Sequence, residues 1–387
     1  MTVVMHNIRQ WLPQTMVWVY NQTSNLPGDI TNHILCESKA NLGQFPADNI
    51  HSLSEANSLR YLWDKGLRKL GVRRHLGFTV KAAKRIKPDI MHTHFGAYGW
   101  SSAPAARKSG TRHVVSFYGA DACLYPSNQP IWRERYMELF RSADMVLCEG
   151  PHMAGTLESL GCPREKIVVN RLGVDVSKIQ FKQKEWKPGA PLRVLISATF
   201  REKKGIPLAL EALGSLKNDI PIEITVIGDA TVEARSIREK EKILSVIEDR
   251  GLSKSVRMLG FRTYCELLRE ARYHHVFLSP SVTAEDGDAE GGAPVSLIDM
   301  AATGLILVSS RHCDIPEIVI HGETGLLSAE RDVEGIAANI RWLAENPEEW
   351  KRISAAARAR VEKEFDAKTQ AEKLAALYRN IAGNLNK

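Results

Sequence analysis

Long apolar runs are missing from this sequence. No stretch of the 387 residues approaches the ~20 uninterrupted apolar positions that a membrane-spanning helix needs. The apolar start is broken by His6, Arg9 and Gln10, which argues against a secretory leader. Cysteine is sparse and unpaired. Cys36, Cys123, Cys148, Cys162, Cys265 and Cys313 form no Cys-x-x-Cys motif and no zinc spacing, as expected of small buried hydrophobes in a reducing cytoplasm. No low-complexity tract or short repeat is visible, which sets solenoids aside. A basic motif with interleaved aromatics is also lacking, so a nucleic-acid-binding protein is disfavoured and no nucleic-acid partner is expected.

What is present is ordinary globular composition, 44% hydrophobic and 25% charged, over a length that suits two domains. The formal charge of +7 fits phosphate-bearing partners without choosing among them. Short β-branched runs alternate with longer amphipathic stretches. Strands are predicted at Ile30–Leu35, Asp89–His92, His113–Phe117, Met145–Cys148 and Ile167–Val169, then at Arg193–Ala198, Glu223–Ile227, Val256–Leu259, His275–Leu278 and Leu305–Val308. Helices are predicted at Leu76–Ile86, Leu208–Leu216, Ala234–Arg250 and Val333–Leu343. That alternation implies an α/β protein of two Rossmann-like domains with parallel sheets, facing each other across a cleft. The expected boundaries are 1–180, a charged linker 181–191 with two prolines and a glycine, 192–365, and a C-terminal helix 366–387 packing back toward the first domain.

Parallel sheets bind ligands beyond the carboxyl ends of their strands, so the segments after each strand carry the chemistry. After Arg193–Ala198 come Arg201, Lys203, Lys204 and Gly205, then a helix: cations beside a helix N-terminus suit a diphosphate. A solvated basic loop is the plain alternative. After Glu223–Ile227, Gly228 opens a GDAT turn that permits close ligand approach or is simply structural. After His275–Leu278 runs SPSVTAEDGDAEGGAP. Here Glu290 is suited to accept sugar hydroxyls, Gly291, Gly292 and Ala293 to hold a phosphate or sugar oxygen, Pro294 to begin a helix, and Asp299 to lie two to three turns along it. Asp286 and Asp288 offer hard ligands for a metal loop, but the full calcium pattern is absent and no metal is expected. In the first half, His92 and His94 end a strand; such a pair can bind zinc, yet no third ligand lies near in sequence. His94 is kept as a ligand contact, with Tyr118, Gly119 and Asp121 offered to the same cleft.

The ordered set DIMHTHFG, NRLGVD, FREKKG, GDAT, SPSVTAEDGDAEGGAP and SRHCDIPEIVIHGETGLL resembles the retaining glycosyltransferases of family 4, the group 1 type with the GT-B fold, and among them bacterial members that build exopolysaccharide, colanic-acid-like or other envelope glycans. The resemblance implies sugar transfer from a nucleotide-diphosphate sugar, with no permanently bound cofactor, to a glycan or lipid-linked acceptor. It assigns Lys204 to the donor diphosphate, Glu290 to the donor sugar, Asp299 to the ribose and Tyr118 to the reacting carbon. The chain departs from the family pattern in three places. Thr199 stands where an arginine is usual, with Arg201 nearby; Asp299 lies nine rather than eight residues after Glu290; Tyr118 replaces a histidine. Epimerases and phosphorylases share the need for a phosphate site, so the architecture alone leaves them open.

Between Arg60 and Lys87 the only acid, Asp64, stands among many lysines and arginines. Leu76, Val80, Ala83 and Ile86 form one side of an expected helix, with Arg74, Lys81, Lys84 and Arg85 elsewhere; Arg73, Arg74, Lys81 and Lys84 are the expected membrane contacts, and a solvated helix face is the plain alternative. The expectation is a cytoplasmic protein in peripheral contact with the anionic inner face of the plasma membrane.

Overall fold

Two all-parallel sheets organise the chain in a computed structural model that describes residues 1–13, 16–56 and 58–383, the side chains of Ser58 and Arg60 excepted. Two compact units result, Met1–Gly173 together with Ala367 onward, and Val174–Asp366.

The first unit holds β1 (Thr2–Trp11), β2 (Ile30–Lys39), β3 (Ile50–Ser52), β4 (Ile90–His94), β5 (Arg112–Ser116), β6 (Met145–Cys148) and β7 (Ile167–Val169) in the spatial order β3-β2-β1-β4-β5-β6-β7. β1 lies inside the sheet between β2 and β4, where both faces are covered, so Val4, Met5 and Ile8 are buried and so are His6 and Asn7. The polar residues that break its apolar run are thus core residues of a central strand. The helix Ala367–Gly383 returns to this sheet and buries Leu374, Ala375 and Tyr378 against Val4 and Ile90.

The second unit holds β8 (Leu192–Ser197), β9 (Ile222–Ile227), β10 (Val256–Met258), β11 (Val276–Ser279), β12 (Ile306–Ser310) and β13 (Leu326–Ser328) in the order β10-β9-β8-β11-β12-β13. The segment after Phe181 packs on this unit: Trp186 stacks on Trp350 at 5.9 Å, and the Lys184 ammonium donates to the carbonyls of Ala271 and Arg272. In both sheets the strand order reverses beside the first strand of the unit. The reversal points lie between β1 and β4 and between β8 and β11. The carboxyl ends of the strands at such a reversal are the usual ligand position in parallel sheets. Among the described residues, no helix is long and apolar enough to cross a membrane.

Candidate active site

At the β8/β11 reversal, two loops separated by 86 residues meet. The first leaves β8 as Arg201-Glu-Lys-Lys204, turns at Gly205 (φ +61) and starts the helix Ile206–Leu216. A Cβ on Gly205 would lie 2.0 Å from the carbonyl oxygen of Pro280, at the start of the second loop, so only glycine lets the loops close on each other. Gly228 repeats this after β9: at φ +126 its Cβ would meet the Ala198 carbonyl at 1.8 Å. The second loop runs from β11 to the helix Val295–Thr303 and carries Glu290.

Lys204 Nζ donates to both carboxylate oxygens of Glu290, at 2.7 and 2.8 Å, and Ser281 Oγ donates to one of them at 2.8 Å. The Glu290 side chain is only 7% exposed. Burial pushes its carboxyl up, but the Lys204 and Lys203 ammoniums and the Lys204 and Ser281 hydrogen bonds outweigh that and hold it at about 2. Its backbone N–H donates to His312 Nε2, so His312 carries its proton on Nδ1, which donates to Glu330 at 2.7 Å. Glu330 in turn accepts from the Thr283 N–H. His312 and Glu330 therefore hold the loop at both ends.

The acidic stretch before Glu290 is claimed by cations of the protein itself. Lys203 Nζ donates to Asp288 Oδ1 and the Ala289 carbonyl, both at 2.9 Å; Arg235 reaches Asp286 at 3.0 Å and Asp288 at 3.3 Å. Arg201 lies 2.9 Å from Glu233 and 3.6 Å from Asp288. The charge of Asp286 and Asp288 is compensated by three side chains, the arrangement of an ion-pair network rather than a calcium loop. A cavity of about 170 Å³ beside this network is lined by Arg201, Lys203, Arg235, Arg238 and Lys242 with acids between them.

Gly291, Gly292 and Ala293 lead into the helix Val295–Thr303, whose N-terminal end attracts anionic oxygen. Pro294 caps that helix rather than beginning it, and Asp299 lies in its second turn, closer to the helix start than the two to three turns expected. Asp299 accepts from the Tyr264 hydroxyl at 2.7 Å; burial, only partly offset by that bond, pushes its carboxyl up to about 7.

In the first unit, the expected histidine pair has a third member. His6 on β1, His92 and His94 on β4 present ring nitrogens within 4.8 Å of one another, all fully buried. The sequence hid this because register, not spacing, pairs His6 with His92 across β1 and β4. Five of the six ring nitrogens are engaged: His6 Nδ1 with His94 Nε2 (3.1 Å), His94 Nδ1 with the Tyr118 hydroxyl (2.8 Å), His92 with Tyr378 (2.6 Å) and Ser116 (2.7 Å); His6 Nε2 is buried without a hydrogen-bond partner among the described residues. Burial drives all three imidazoles below their usual range, His6 to about 4, so they are neutral links in a hydrogen-bonded stack, with hydroxyls on both nitrogens of His92 and on Nδ1 of His94. Tyr118 is 5% exposed, and Gly119 beside it is buried. Asp121 is buried: its carboxylate accepts from the backbone N–H groups of Gly96 and Tyr118, and it fixes the turn at Phe95, which is held at φ +72.

The basic stretch is also arranged differently from the expectation. Arg73 pairs with Asp64, and Arg74 reaches Glu138 through both nitrogens at 2.7 and 2.6 Å. Val80, Ala83 and Ile86 of the helix Gly77–Ile86 face the core of the first unit. Tyr264, Arg235 and His6 had no motif to announce them, and His312 stood inside the SRHCDIPEIVIHGETGLL stretch without a role; each is recognised only by what it touches.

Known proteins resemble this chain over most of its length. Residues 177–360 match the model for glycosyl transferases group 1, and residues 33–178 that for Glycosyltransferase Family 4. The amylovoran biosynthesis glycosyltransferase AmsK of Erwinia amylovora is 34% identical over 77% of this chain and 72% of its own length. WcaL of Escherichia coli K12, named for colanic acid biosynthesis, is 32% identical over 78% of this chain and 73% of its own. The crystal structure of Anabaena HepE in complex with UDP superposes with a TM-score of 0.77 over 98% of this chain and 100% of that one, at 16% identity. With its GT-B fold and its identity to AmsK over most of both chains, this protein belongs to the family 4, group 1 glycosyltransferases.

Proposed function

We propose that this enzyme transfers a sugar, with retained anomeric configuration, from a nucleotide-diphosphate sugar to a glycan or lipid-linked acceptor in envelope or exopolysaccharide assembly. The observation that carries the donor assignment is the meeting of Lys204 and Glu290 at the β8/β11 reversal. An ammonium beside a carboxylate at this position suits a diphosphate on one side and sugar hydroxyls on the other. Lys204 and the backbone of Gly291–Ala293, ahead of the helix Val295–Thr303, stabilise charge building on the leaving diphosphate. Glu290, held ionised, orients the sugar and stabilises its cationic character. Asp299, set by Tyr264, takes the ribose hydroxyls. Such fixed charges supply what a metal supplies elsewhere, so transfer proceeds without added divalent ion. Arg201 engages acids of the loop network, so the role of the arginine replaced by Thr199 falls chiefly to Lys204.

The polysaccharide class rests on the likeness to AmsK and WcaL, proteins named for amylovoran and colanic acid biosynthesis. An acceptor of that kind places the enzyme in peripheral contact with the cytoplasmic membrane face. The experiment is a thermal-shift screen across nucleotides and nucleotide sugars, followed by transfer assays with the best donor and NMR of the product's anomeric centre. Stabilisation by one nucleotide-diphosphate sugar and a retained anomer are expected. Donor epimerised without transfer would overturn the reading.

A further inference from the structure

The helix Ser58–Lys69 is built inside out. Leu59, Leu62, Trp63, Gly66 and Leu70 recur at the spacing of one helical face, and the backbone bond from Leu70 N–H to the Gly66 carbonyl carries the turn past the helix end. That face points to solvent: Leu59 is 81% exposed, Leu62 65%, Trp63 66% and Leu70 78%, with Val72 beyond it at 68%. The charged face is the one that holds the helix to the domain. Lys65 and Arg68 pair with the buried Glu37, and buried Asp64 takes Arg73 and the N–H groups of Gly77 and Phe78, capping the next helix. A helix packed only for stability would turn these faces the other way.

We infer that this apolar face, with the exposed cations of this helix and the next, is a membrane-docking wedge that inserts into the headgroup region of an anionic bilayer. The charges select the occupant. From Ala56 to Lys87 the only acid is Asp64, and it is buried, whereas Lys69 and, on the helix that Asp64 caps, Lys81 and Lys84 are exposed. A second copy docking on the same face would oppose cation to cation. A bilayer offers hydrocarbon to the leucines, an interface to the indole of Trp63 and anionic headgroups to the lysines. The inference rests on the peripheral-membrane part of the proposed function and replaces Arg73 and Arg74, which are engaged in ion pairs, as the contacting groups.

The test is co-sedimentation of the full chain with vesicles of phosphatidylcholine alone or with phosphatidylglycerol, at low and high salt. The variants are L62S/W63S/L70S and K69Q/K81Q/K84Q. Binding to anionic vesicles is expected, with the apolar variant losing at least about tenfold in partitioning, because three large side chains leave water on insertion. The lysine variant should lose the preference for anionic lipid. Brominated lipid should quench the wild type more than Trp63→Phe. Nucleotide-induced thermal shifts in solution, unchanged in both variants, report the donor site separately. Equal vesicle binding by wild type and the apolar variant would overturn the wedge while leaving peripheral association standing. No vesicle binding by the wild type at low salt, or concentration-dependent dimerisation that disappears in the apolar variant, would overturn both.

Discussion

The ammonium of Lys204 lies 2.7 and 2.8 Å from the two carboxylate oxygens of Glu290, and the pair joins the loop after β8 to the loop after β11. It is at once a structural tie and the proposed donor contact, and the two roles separate by pH. Glu290 has its carboxyl held at about 2 against an ordinary 4.5. A lowered carboxylate adds stability that is complete above about 4.5 and is lost as pH falls toward 2. Glu290→Gln should therefore remove up to about 3 kcal/mol at neutral pH and less at pH 3. Urea unfolding at pH 7 and pH 3 measures the difference; equal destabilisation at both would show that the ion pair contributes nothing.

Glu290 and Asp299 should fail in different ways. Glu290→Gln is expected to lower kcat, because the carboxylate meets the reacting sugar, and Asp299→Asn to raise the donor KM, because the ribose is remote from the bond that breaks. Steady-state kinetics with varied donor would show the two acids to be exchanged if the pattern is reversed.

Asp299 gives the donor site a pH dependence of its own. Burial raises its carboxyl to about 7 while the Tyr264 hydroxyl draws it down. Donor KM should rise as pH falls through about 7, and Tyr264→Phe should move that inflection upward by removing the opposing bond. An unmoved inflection would mean that Tyr264 does not set this carboxylate.

The histidine stack should make the first unit acid-sensitive. His6 is held at about 4 against an ordinary 6.5, chiefly by burial. The unfolded chain takes up its proton first, so stability is complete above 6.5 and falls as pH drops through that window. For His6 alone the loss approaches about 3 kcal/mol by pH 4. His6→Gln should flatten that slope in thermal unfolding followed from pH 7 to 4; a slope identical to wild type would contradict the neutral stack.

Much of this fold was legible because its signals are local. Met145–Cys148 and Ile167–Val169 are strands at the expected residues, and Ala234–Arg250 is a helix ending one residue earlier, at Asp249. Apolar runs between polar turns leave little choice. β1 escaped because a central strand is recognised by continuous hydrophobicity, and His6 and Asn7 break it; only the neighbouring strands show that they are core. Lys204 and Glu290 stood out as a cation loop and an acidic loop, but their contact is a long-range fact. Tyr378 reaches His92 from 286 residues away, a relation no spacing encodes. The basic stretch misled in the same manner. Arg73 and Arg74 count as positive charge in a sequence, whereas in the fold Asp64 and Glu138 neutralise them and the apolar side of Ser58–Lys69 is the face left exposed.

Whether Lys204 stabilises the departing diphosphate is read from the turnover of Lys204→Gln with the nucleotide sugar that the screen identifies, alongside its thermal unfolding. Removing one charge-assisted hydrogen bond from a developing negative charge predicts a fall in kcat of about 10²–10³-fold in a protein that still unfolds cooperatively. Near-wild-type turnover in that folded variant would contradict the account.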